Sequence, residues 1–359
     1  MSIGYSASGI SVFNIMKIFY AIQATGNGHI SRAMELLPWL QKFGTVDIFL
    51  SGANSTLSLN APIKYRSKGL SLFYTCDGSL DYWKIVRRVA PFRVMKEVRD
   101  LPVEKYDLVI NDFECITSLA CAQKKVASVN FGHQASFLSA KTPRPEKPSK
   151  AGEWILQNYA RATNYIGLHF ESYDDFIFSP VIKEEILQAE ASNAGHVTVY
   201  LPSYCDKQLI QFLQPLKDHR FEVFSRQAKE PYNVGHINFR PVDSKDFNRS
   251  LITCHGIVCG AGFETPAEAL SLKKKMIAIP IQGQYEQQCN AAALKKIGIK
   301  ILDKLDDDFT DTFNNWVNDP VTPSVHYRYS TEAIVNILMY RCTHLKSPLD
   351  IPYPDLIFN

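Results

Sequence analysis

A histidine lies at the tip of a glycine turn near the start of the chain. The apolar run 18–24 ends in the turn 25–28 (TGNG), and His29 follows directly. Apolar residues then recur at helical spacing, so the pattern predicts a strand, a tight turn and a helix. The positive end of the helix dipole favours the neutral form of a histidine at this position. We therefore expect His29 to be a neutral base, although the same residues also fit a plain turn that needs glycine.

A carboxylate follows another predicted strand of the same sheet. The predicted strand 107–110 (DLVI) leads into Asn111 and Asp112. Because parallel strands end at one edge of a sheet, Asp112 is expected beside His29, where it would orient the imidazole. The residues support a second interpretation equally well, in which Asp112 is the N-cap of the following helix. The sequence predicts that the two residues lie close together without deciding between these roles.

A second glycine turn, 260–262 (GAG), follows the predicted strand 256–259. Thr265 then stands at a predicted N-cap with Glu268 three residues later, which is the spacing of a capping box. Backbone N–H groups of residues 262–265 at the start of this helix would suit a phosphate group. In a simpler interpretation, Glu268 only closes the capping box.

Amide side chains are dense after the next predicted strand, 276–280. Amides both donate and accept hydrogen bonds, as sugar hydroxyls require, so this stretch suggests a carbohydrate site. A polar helix start explains the same residues equally well. The polar residues are Gln282, Gln284, Glu286, Gln287, Gln288 and Asn290.

Two α/β domains must position these residues. The chain has 359 residues, 46% of them hydrophobic and 21% charged, and this length predicts about two domains. Strands and helices alternate in two series, which predicts two Rossmann-like domains with parallel sheets that face each other across a cleft. The predicted segments are a flexible leader at 1–15, an N-terminal domain at 16–172, a linker at 173–195, a C-terminal domain at 196–335, and a helix end with a surface strap at 336–359.

Composition excludes other classes of protein. The net charge of +3 argues against a dedicated nucleic-acid-binding protein. The eight cysteines contain no C-x-x-C spacing, which fits a reducing compartment. The first sixteen residues contain no Lys or Arg and no apolar stretch of transmembrane length. These features predict a cytoplasmic protein.

Together, the two glycine turns resemble those of GT-B nucleotide-sugar glycosyltransferases, close to the MurG-like, family 28 group and more distantly the UDP-glycosyltransferases. The T-G-x-G-H turn of that group is matched by residues 25–29. The resemblance extends from Lys17 to about Cys342. Its second signature has the form C-x-x-G-x-x-T-x-x-E, followed by Gln-Gln, and is matched by Cys259, Gly262, Thr265, Glu268, Gln287 and Gln288.

The resemblance implies an acceptor site in the first domain and a nucleotide-sugar site in the second. His29 would be the general base and Asp112 its orienting partner. Glu268 would hold the ribose hydroxyls, Gly262 and Thr265 the diphosphate, and Gln287 with Gln288 the donor sugar. Gly260 departs from the pattern, since relatives carry His or Arg there. The predicted donor-site residues are Gly28, Gly262, Phe263, Thr265, Glu268, Gln287 and Gln288.

These roles imply transfer of a hexosyl or N-acetylhexosaminyl group from a UDP-linked donor to an acceptor hydroxyl, with inversion. No Asp-x-Asp pair follows a predicted strand, so we expect neither a metal ion nor a cofactor, and we interpret 306–308 (DDD) as a solvated turn. Two alternatives stay open. One is a nucleotide-sugar 2-epimerase of the same fold, with Glu264 or Glu114 moving protons, and the other is a non-catalytic nucleotide-sugar-binding subunit.

The acceptor, a glycan, glycolipid or small molecule, would contact the first domain at His133, Gln134 and Trp83. Segment 82–105 has seven basic and three acidic residues interleaved with apolar ones. This composition predicts either contact with an anionic bilayer or an ordinary amphipathic surface helix. Bilayer contact would suit an enzyme of cell-envelope synthesis at the inner face of the membrane.

Overall fold

The computed structural model describes residues 16–24, 26–52, 59–69, 91–321, 323 and 325–344. Several predicted features lie outside the described residues. They are the leader at 1–15, Thr25 of the first glycine turn, Trp83 with the rest of 82–90, and the strap beyond residue 344.

The first domain is built on a sheet of seven parallel strands. The strands are β1 (Met16–Gln23), β2 (Gly44–Ser51), β3 (Ile63–Ser67), β4 (Leu108–Asp112), β5 (Val129–Gly132), β6 (Asn164–Leu168) and β7 (Ile177–Phe178). Their order is β3-β2-β1-β4-β5-β6-β7. The helices are α1 (Asn27–Leu40), α2 (Pro91–Asp100), α3 (Cys115–Lys124) and α4 (Lys150–Asn158), with short 3₁₀ helices at Val103–Lys105 and His133–Leu138.

The second domain has a similar sheet, preceded by the short helix α5 (Glu184–Leu187). Its strands are β8 (His196–Tyr200), β9 (Arg220–Ser225), β10 (Tyr232–Val234), β11 (Ile237–Pro241), β12 (Gly256–Gly260), β13 (Lys275–Ile279) and β14 (Lys300–Ile301). Their order is β10-β11-β9-β8-β12-β13-β14, and only β10 with β11 is antiparallel. The helices are α6 (Asp206–Leu213), α7 (Ser244–Thr253), α8 (Glu264–Ser271), α9 (Tyr285–Lys296), α10 (Phe309–Asn318) and α11 (Thr331–His344).

The strand order of the first sheet positions the predicted catalytic residues. The central strand β1 pairs with β2 on one side and with β4 on the other. The β1–β4 register sets Ile22 opposite Asp112. Because α1 begins just after β1, its first turn lies beside the end of β4. Parallel sheets bind ligands at such a switch point, where successive connections leave in opposite directions.

The predicted pair of Rossmann-like α/β domains is confirmed, and several boundaries differ from the prediction. The stretch 173–195 contains β7 and α5, so it carries the last strand of the first sheet as well as the connection. The predicted boundary after residue 335 falls inside α11. Helix α4 ends at Asn158 and strand β6 follows within a few residues, in a run too short to show a period that separates strand from helix.

The end of the described chain packs back on the first domain. Ile334 and Leu338 of α11 are buried in one cluster with Ile30 and Ala33 of α1. Nearby, the Tyr329 N–H donates to Ser179 Oγ at 3.1 Å. The two domains are therefore joined by α11 in addition to the connection through α5.

Helix α2 turns an apolar and basic face outward. Phe92 is 88% exposed and Met95 69% exposed, while Val98 on the opposite face is buried. Lys96 and Arg99 are exposed beside them, at the i+4 and i+7 positions from Phe92. None of the described helices combines the length and the apolar composition that crossing a bilayer requires.

Candidate active site between the two domains

His29 and Asp112 meet at the carboxyl edge of the first sheet. His29 Nδ1 lies 3.0 Å from Asp112 Oδ1. Asp112 is fully buried, whereas the His29 side chain keeps 13% exposure. The carboxylate can only accept, so when Nδ1 forms a hydrogen bond with Asp112 it carries the hydrogen, and the Arg32 Nη2 donor at 3.0 Å from Nδ1 then forms no hydrogen bond with it. In the neutral ring Nε2 is then unprotonated, and no described residue bonds to it. The arrangement therefore leaves one ring nitrogen that can take a proton.

Asp112 is not the helix N-cap that the sequence also allowed. Glu114 caps α3, since its carboxylate accepts the N–H groups of Ile116 at 3.0 Å and Thr117 at 2.6 Å. Phe113, between the two acids, has a φ of 53°, a left-handed conformation that is rare for a bulky residue. The neighbouring carboxylates thus have different partners. Asp112 contacts His29 in the candidate site, whereas Glu114 caps helix α3.

Arg32, one turn further along α1, contacts the same carboxylate. Its Nη2 donates to Asp112 Oδ1 at 2.6 Å and lies 3.0 Å from His29 Nδ1. Its Nη1 donates to Glu264 Oε1 in the first turn of α8. The Arg32 side chain is only 2% exposed. The guanidinium therefore lies between two carboxylates, one from each domain.

The charges of this cluster set the protonation of the imidazole. Burial lowers the pKa of His29, but the charge and hydrogen bond of Asp112 raise it by more, so the pKa lies above its ordinary value. This direction is opposite to the one predicted from the helix dipole, because a carboxylate in direct contact outweighs a partial charge. Burial would raise the pKa of Asp112, yet Arg32 and His29 lower it overall, which keeps the carboxylate ionised.

Two glycines make room for the cluster. A Cβ on Gly132, at the end of β5, would lie 2.7 Å from Asp112 Oδ1. A Cβ on Gly28 would lie 2.6 Å from Glu264 Oε2. Any side chain at either position would displace a carboxylate. Gly28, predicted to contact the donor, thus lies against Glu264 where the two domains touch.

The second-domain helix begins earlier than predicted. α8 starts at Glu264 after an N-cap at Phe263, and no side chain caps it. The predicted capping box of Thr265 with Glu268 is therefore wrong, because Thr265 is already inside the first turn. A Cβ on Gly262 would have no described atom within 4 Å. Backbone around the start of α8 thus stays close to open space, as a phosphate site requires.

Glu268 is buried and forms an ion pair. Lys183 Nζ, from the segment before α5, lies 3.0 Å from Glu268 Oε1 and 3.3 Å from Oε2. The same ammonium donates to Asn248 Oδ1 at 2.9 Å. Burial raises the pKa of Glu268, and the charge of Lys183 opposes this. Glu268 is only 3% exposed, so a ribose would reach its carboxylate only after local rearrangement and would share it with Lys183.

His133, which we predicted to contact the acceptor, lies in the contact between the domains. Its ring nitrogens are 2.9 Å from the Leu168 carbonyl oxygen and 2.7 Å from Asn290 Oδ1. At 1% exposure it offers no surface to an acceptor, because the approach of the second domain covers it. Gln134 beside it is also buried, and its Oε1 has no partner among the described residues.

The glutamines of α9 lie near the end of β12. Gln287 Oε1 accepts the Ile281 N–H at 3.0 Å and would lie 3.8 Å from a Cβ on Gly260. Gln288 is half-buried in the same turn. Gln287 thus holds the loop after β13 against the end of β12, where the resemblance implies a sugar.

Acidic residues do not gather into a cation site in the described part of the chain. No three His, Cys, Asp or Glu side chains there are arranged to hold a metal ion. Asp306–Asp308 form the turn before α10, where the Asp308 N–H donates to Asp306 Oδ1 at 3.2 Å. This is the turn that the sequence predicted.

The sequence patterns predicted neither Arg32 nor Lys183 as a site residue. Arg32 carried a signal, since it lies three residues after His29 on the face of α1 that also buries Ile30, Ala33 and Leu36. A charged side chain on such a face needs a buried partner of opposite charge. Lys183 carried no comparable signal, because it belongs to a stretch without periodicity.

Two Rossmann-like domains with a polar site between them are the architecture of GT-B nucleotide-sugar glycosyltransferases. The family model described as glycosyl transferase family 1 matches residues 16–318. The protein belongs to this family, and the predicted GT-B glycosyltransferase class is confirmed. No curated protein matches the chain by sequence.

Solved structures support the same fold. UGT89C1 from Arabidopsis thaliana, complexed with quercetin, is 12% identical with a TM-score of 0.55 and covers 92% of this chain and 94% of its own. The glycotransferase of kitacinnamycin is 11% identical with a TM-score of 0.54, and the match covers 93% of this chain and 97% of the glycotransferase. UDP-N-acetylglucosamine 2-epimerase is 12% identical with a TM-score of 0.53, and the match covers 93% of this chain and 98% of the epimerase. At these identities the likeness shows the fold alone.

Proposed function

We propose that the protein is an inverting glycosyltransferase in which His29 is the general base. The family supports transfer of a sugar from a nucleotide-sugar donor. The single observation that carries the finer proposal is the 3.0 Å contact of His29 Nδ1 with Asp112 Oδ1 at the switch point of the first sheet. This contact sets the tautomer in which Nε2 can take a proton.

The reaction is a single displacement. Nε2 of neutral His29 removes the proton of the acceptor hydroxyl as its oxygen forms a bond to the anomeric carbon. The bond between that carbon and the diphosphate oxygen breaks on the opposite face, so the configuration inverts. Asp112 stabilises the imidazolium that results, because it is ionised and accepts the Nδ1–H.

The start of α8 receives the leaving group. Its free N–H groups and the positive end of the helix dipole stabilise a diphosphate as negative charge develops. The proposed donor is UDP-linked, with its ribose at Glu268 and its hexosyl or N-acetylhexosaminyl group near Gln287 and Gln288. We propose that these groups act without a metal ion.

The contacts of the two candidate acidic residues, Glu114 and Glu264, favour a transferase over a 2-epimerase. Both carboxylate oxygens of Glu114 cap α3, so this residue is not free to move protons on a sugar. Glu264 is bound to Arg32. The intact pair of His29 and Asp112 likewise favours an enzyme over a non-catalytic binding subunit.

We further propose that α2 brings the enzyme to an anionic lipid surface, at the inner face of a cytoplasmic membrane, where a lipid-linked acceptor is found. Phe92 and Met95 offer apolar area, and Lys96 and Arg99 beside them offer positive charge. Apolar insertion and attraction to anionic headgroups add together in such contacts.

The proposal is tested by ligand stabilisation and turnover. A panel of nucleotide sugars is screened by thermal unfolding, since a ligand at about 100 times its Kd adds about 2.7 kcal/mol of stability. The donors that bind are then incubated with candidate acceptors, and the release of nucleoside diphosphate is measured. Acceptor-dependent release and a product of inverted configuration are expected. Interconversion of the donor without acceptor would instead indicate an epimerase.

A further inference from the structure

We propose that Arg32 is a positioning residue that connects the His29–Asp112 pair to the donor helix of the second domain. Its role in catalysis rests on the proposed function. The linkage itself is a property of the fold and is measurable without turnover. Arg32 thereby couples the basicity of His29 to the contact between the two domains.

The Arg32 guanidinium contacts carboxylates of both domains. Nη2 donates to the same Asp112 oxygen that His29 contacts, and Nη1 donates to Glu264. The planar fork of arginine can hold two carboxylates in fixed directions at once. Rotation of either carboxylate would therefore disturb the other through Arg32.

Burial makes the linkage strong. Arg32 and Asp112 are both almost completely inaccessible, and Glu264 is 16% exposed. Removal of the guanidinium would leave two acids of like charge close together in a poorly solvated site. Gly28 and Gly132 permit this close packing, since a Cβ at either position would collide with one of the two acids.

Charged groups from both domains lie around His29. Asp112 and Glu264 raise its pKa, whereas Arg32 lowers it. Other titratable groups near the cluster, among the described residues, are Tyr20 on β1, His133 on the 3₁₀ helix, Glu268 on α8 and Glu286 on α9. Separation of the domains would remove Glu264 from this set, so the basicity of His29 is tied to domain contact.

The experiment measures the His29 pKa directly by NMR of histidine-labelled full-length protein, with His29→Gln to assign the signal. Arg32→Gln is expected to raise the His29 pKa and Glu264→Gln to lower it, each by at least about 0.5 unit. Arg249→Gln is the matched control, because it removes one positive charge from an exposed ion pair on α7. It should leave the His29 pKa unchanged.

Arg32→Lys tests the fork separately from the charge and guards against an Arg32→Gln protein that does not fold. It should keep the His29 pKa closer to wild type than Arg32→Gln does, while kcat falls about tenfold or more at unchanged donor Kd. If Glu264→Gln and the folded Arg32 variants all leave the His29 pKa at the wild-type value, the linkage does not exist. If the pKa values move as expected but no nucleotide sugar is turned over, the linkage stands and the proposed function fails.

Discussion

His133 of the first domain stacks on Phe263 of the second, with ring centroids 4.0 Å apart and planes inclined by 8°. The same imidazole reaches Asn290 Oδ1 on α9, and the Asn290 amide donates to the Ala261 carbonyl oxygen at 3.1 Å. One side chain of the first domain therefore contacts both the residue before α8 and the helix that follows it. This contact holds the predicted phosphate site against the first domain.

The buried imidazole predicts loss of stability in acid. Burial lowers the pKa of His133 to about 3, whereas an unfolded histidine titrates near pH 6.5. The unfolded state thus binds the proton first, so stability present above about pH 6.5 is lost progressively toward about pH 3. Urea unfolding at about pH 7.5 and about pH 5 measures this loss, which should be smaller in His133→Gln than in wild type. His326→Gln, at an exposed position, is the control, and an equal loss in all three proteins would contradict the assignment.

Part of the fold was predictable because two central strands are apolar runs that end in glycine or Asx residues. β4 (LVIND) and β12 (GIVCG) have this form, and each lies near the middle of its sheet. Strands β6 (NYIGL) and β14 (KI) have no such pattern, since polar and apolar residues are mixed in both and β14 has only two residues. Pairing with neighbouring strands in the folded domain determines that such segments become strands.

The site was predictable where strand ends alone decide the geometry. His29 and Asp112 meet because β1 and β4 are neighbours in the sheet. The roles of Glu268 and His133 depend on which surface the second domain covers, and no local pattern encodes that surface. The capping box failed because α8 begins at Glu264, before Thr265, and the Glu268 carboxylate pairs instead with Lys183 from a distant part of the chain.

The pH dependence of turnover follows from the His29–Asp112 contact. His29 acts as a base only when neutral, and its pKa is raised, so kcat/KM should rise with pH through a midpoint above about 6.5. Asp112→Asn removes the charge that raises this pKa, so the midpoint should move to lower pH while kcat falls. His29→Ala should lower kcat by about 10² to 10⁴ at nearly unchanged donor Kd. A midpoint that does not move in Asp112→Asn would show that another group is titrating.

Donor binding should depend on Glu268 despite its ion pair with Lys183. Glu268→Gln keeps the size of the side chain but loses a charged acceptor, so the Kd for a nucleotide sugar should rise about tenfold. Calorimetric titration of the donor that binds best measures this change. Glu104→Gln is the control, because Glu104 pairs with Lys124 in the first domain, outside the proposed donor site. If both variants bind the donor as tightly as wild type, the ribose is held elsewhere.

Membrane contact through α2 predicts that replacing its exposed apolar residues reduces lipid binding. Phe92 and Met95 together expose apolar area whose burial is worth roughly 1.5 to 3 kcal/mol per side chain, so Phe92→Asp with Met95→Asp should reduce vesicle binding at least about tenfold. Sedimentation with vesicles that contain phosphatidylglycerol measures the bound fraction, and vesicles of phosphatidylcholine alone test the part due to Lys96 and Arg99. Val321→Asp, which replaces another exposed apolar residue at 67% exposure, is the control. Wild-type protein that stays in the supernatant with anionic vesicles would mean that α2 is an ordinary solvated helix.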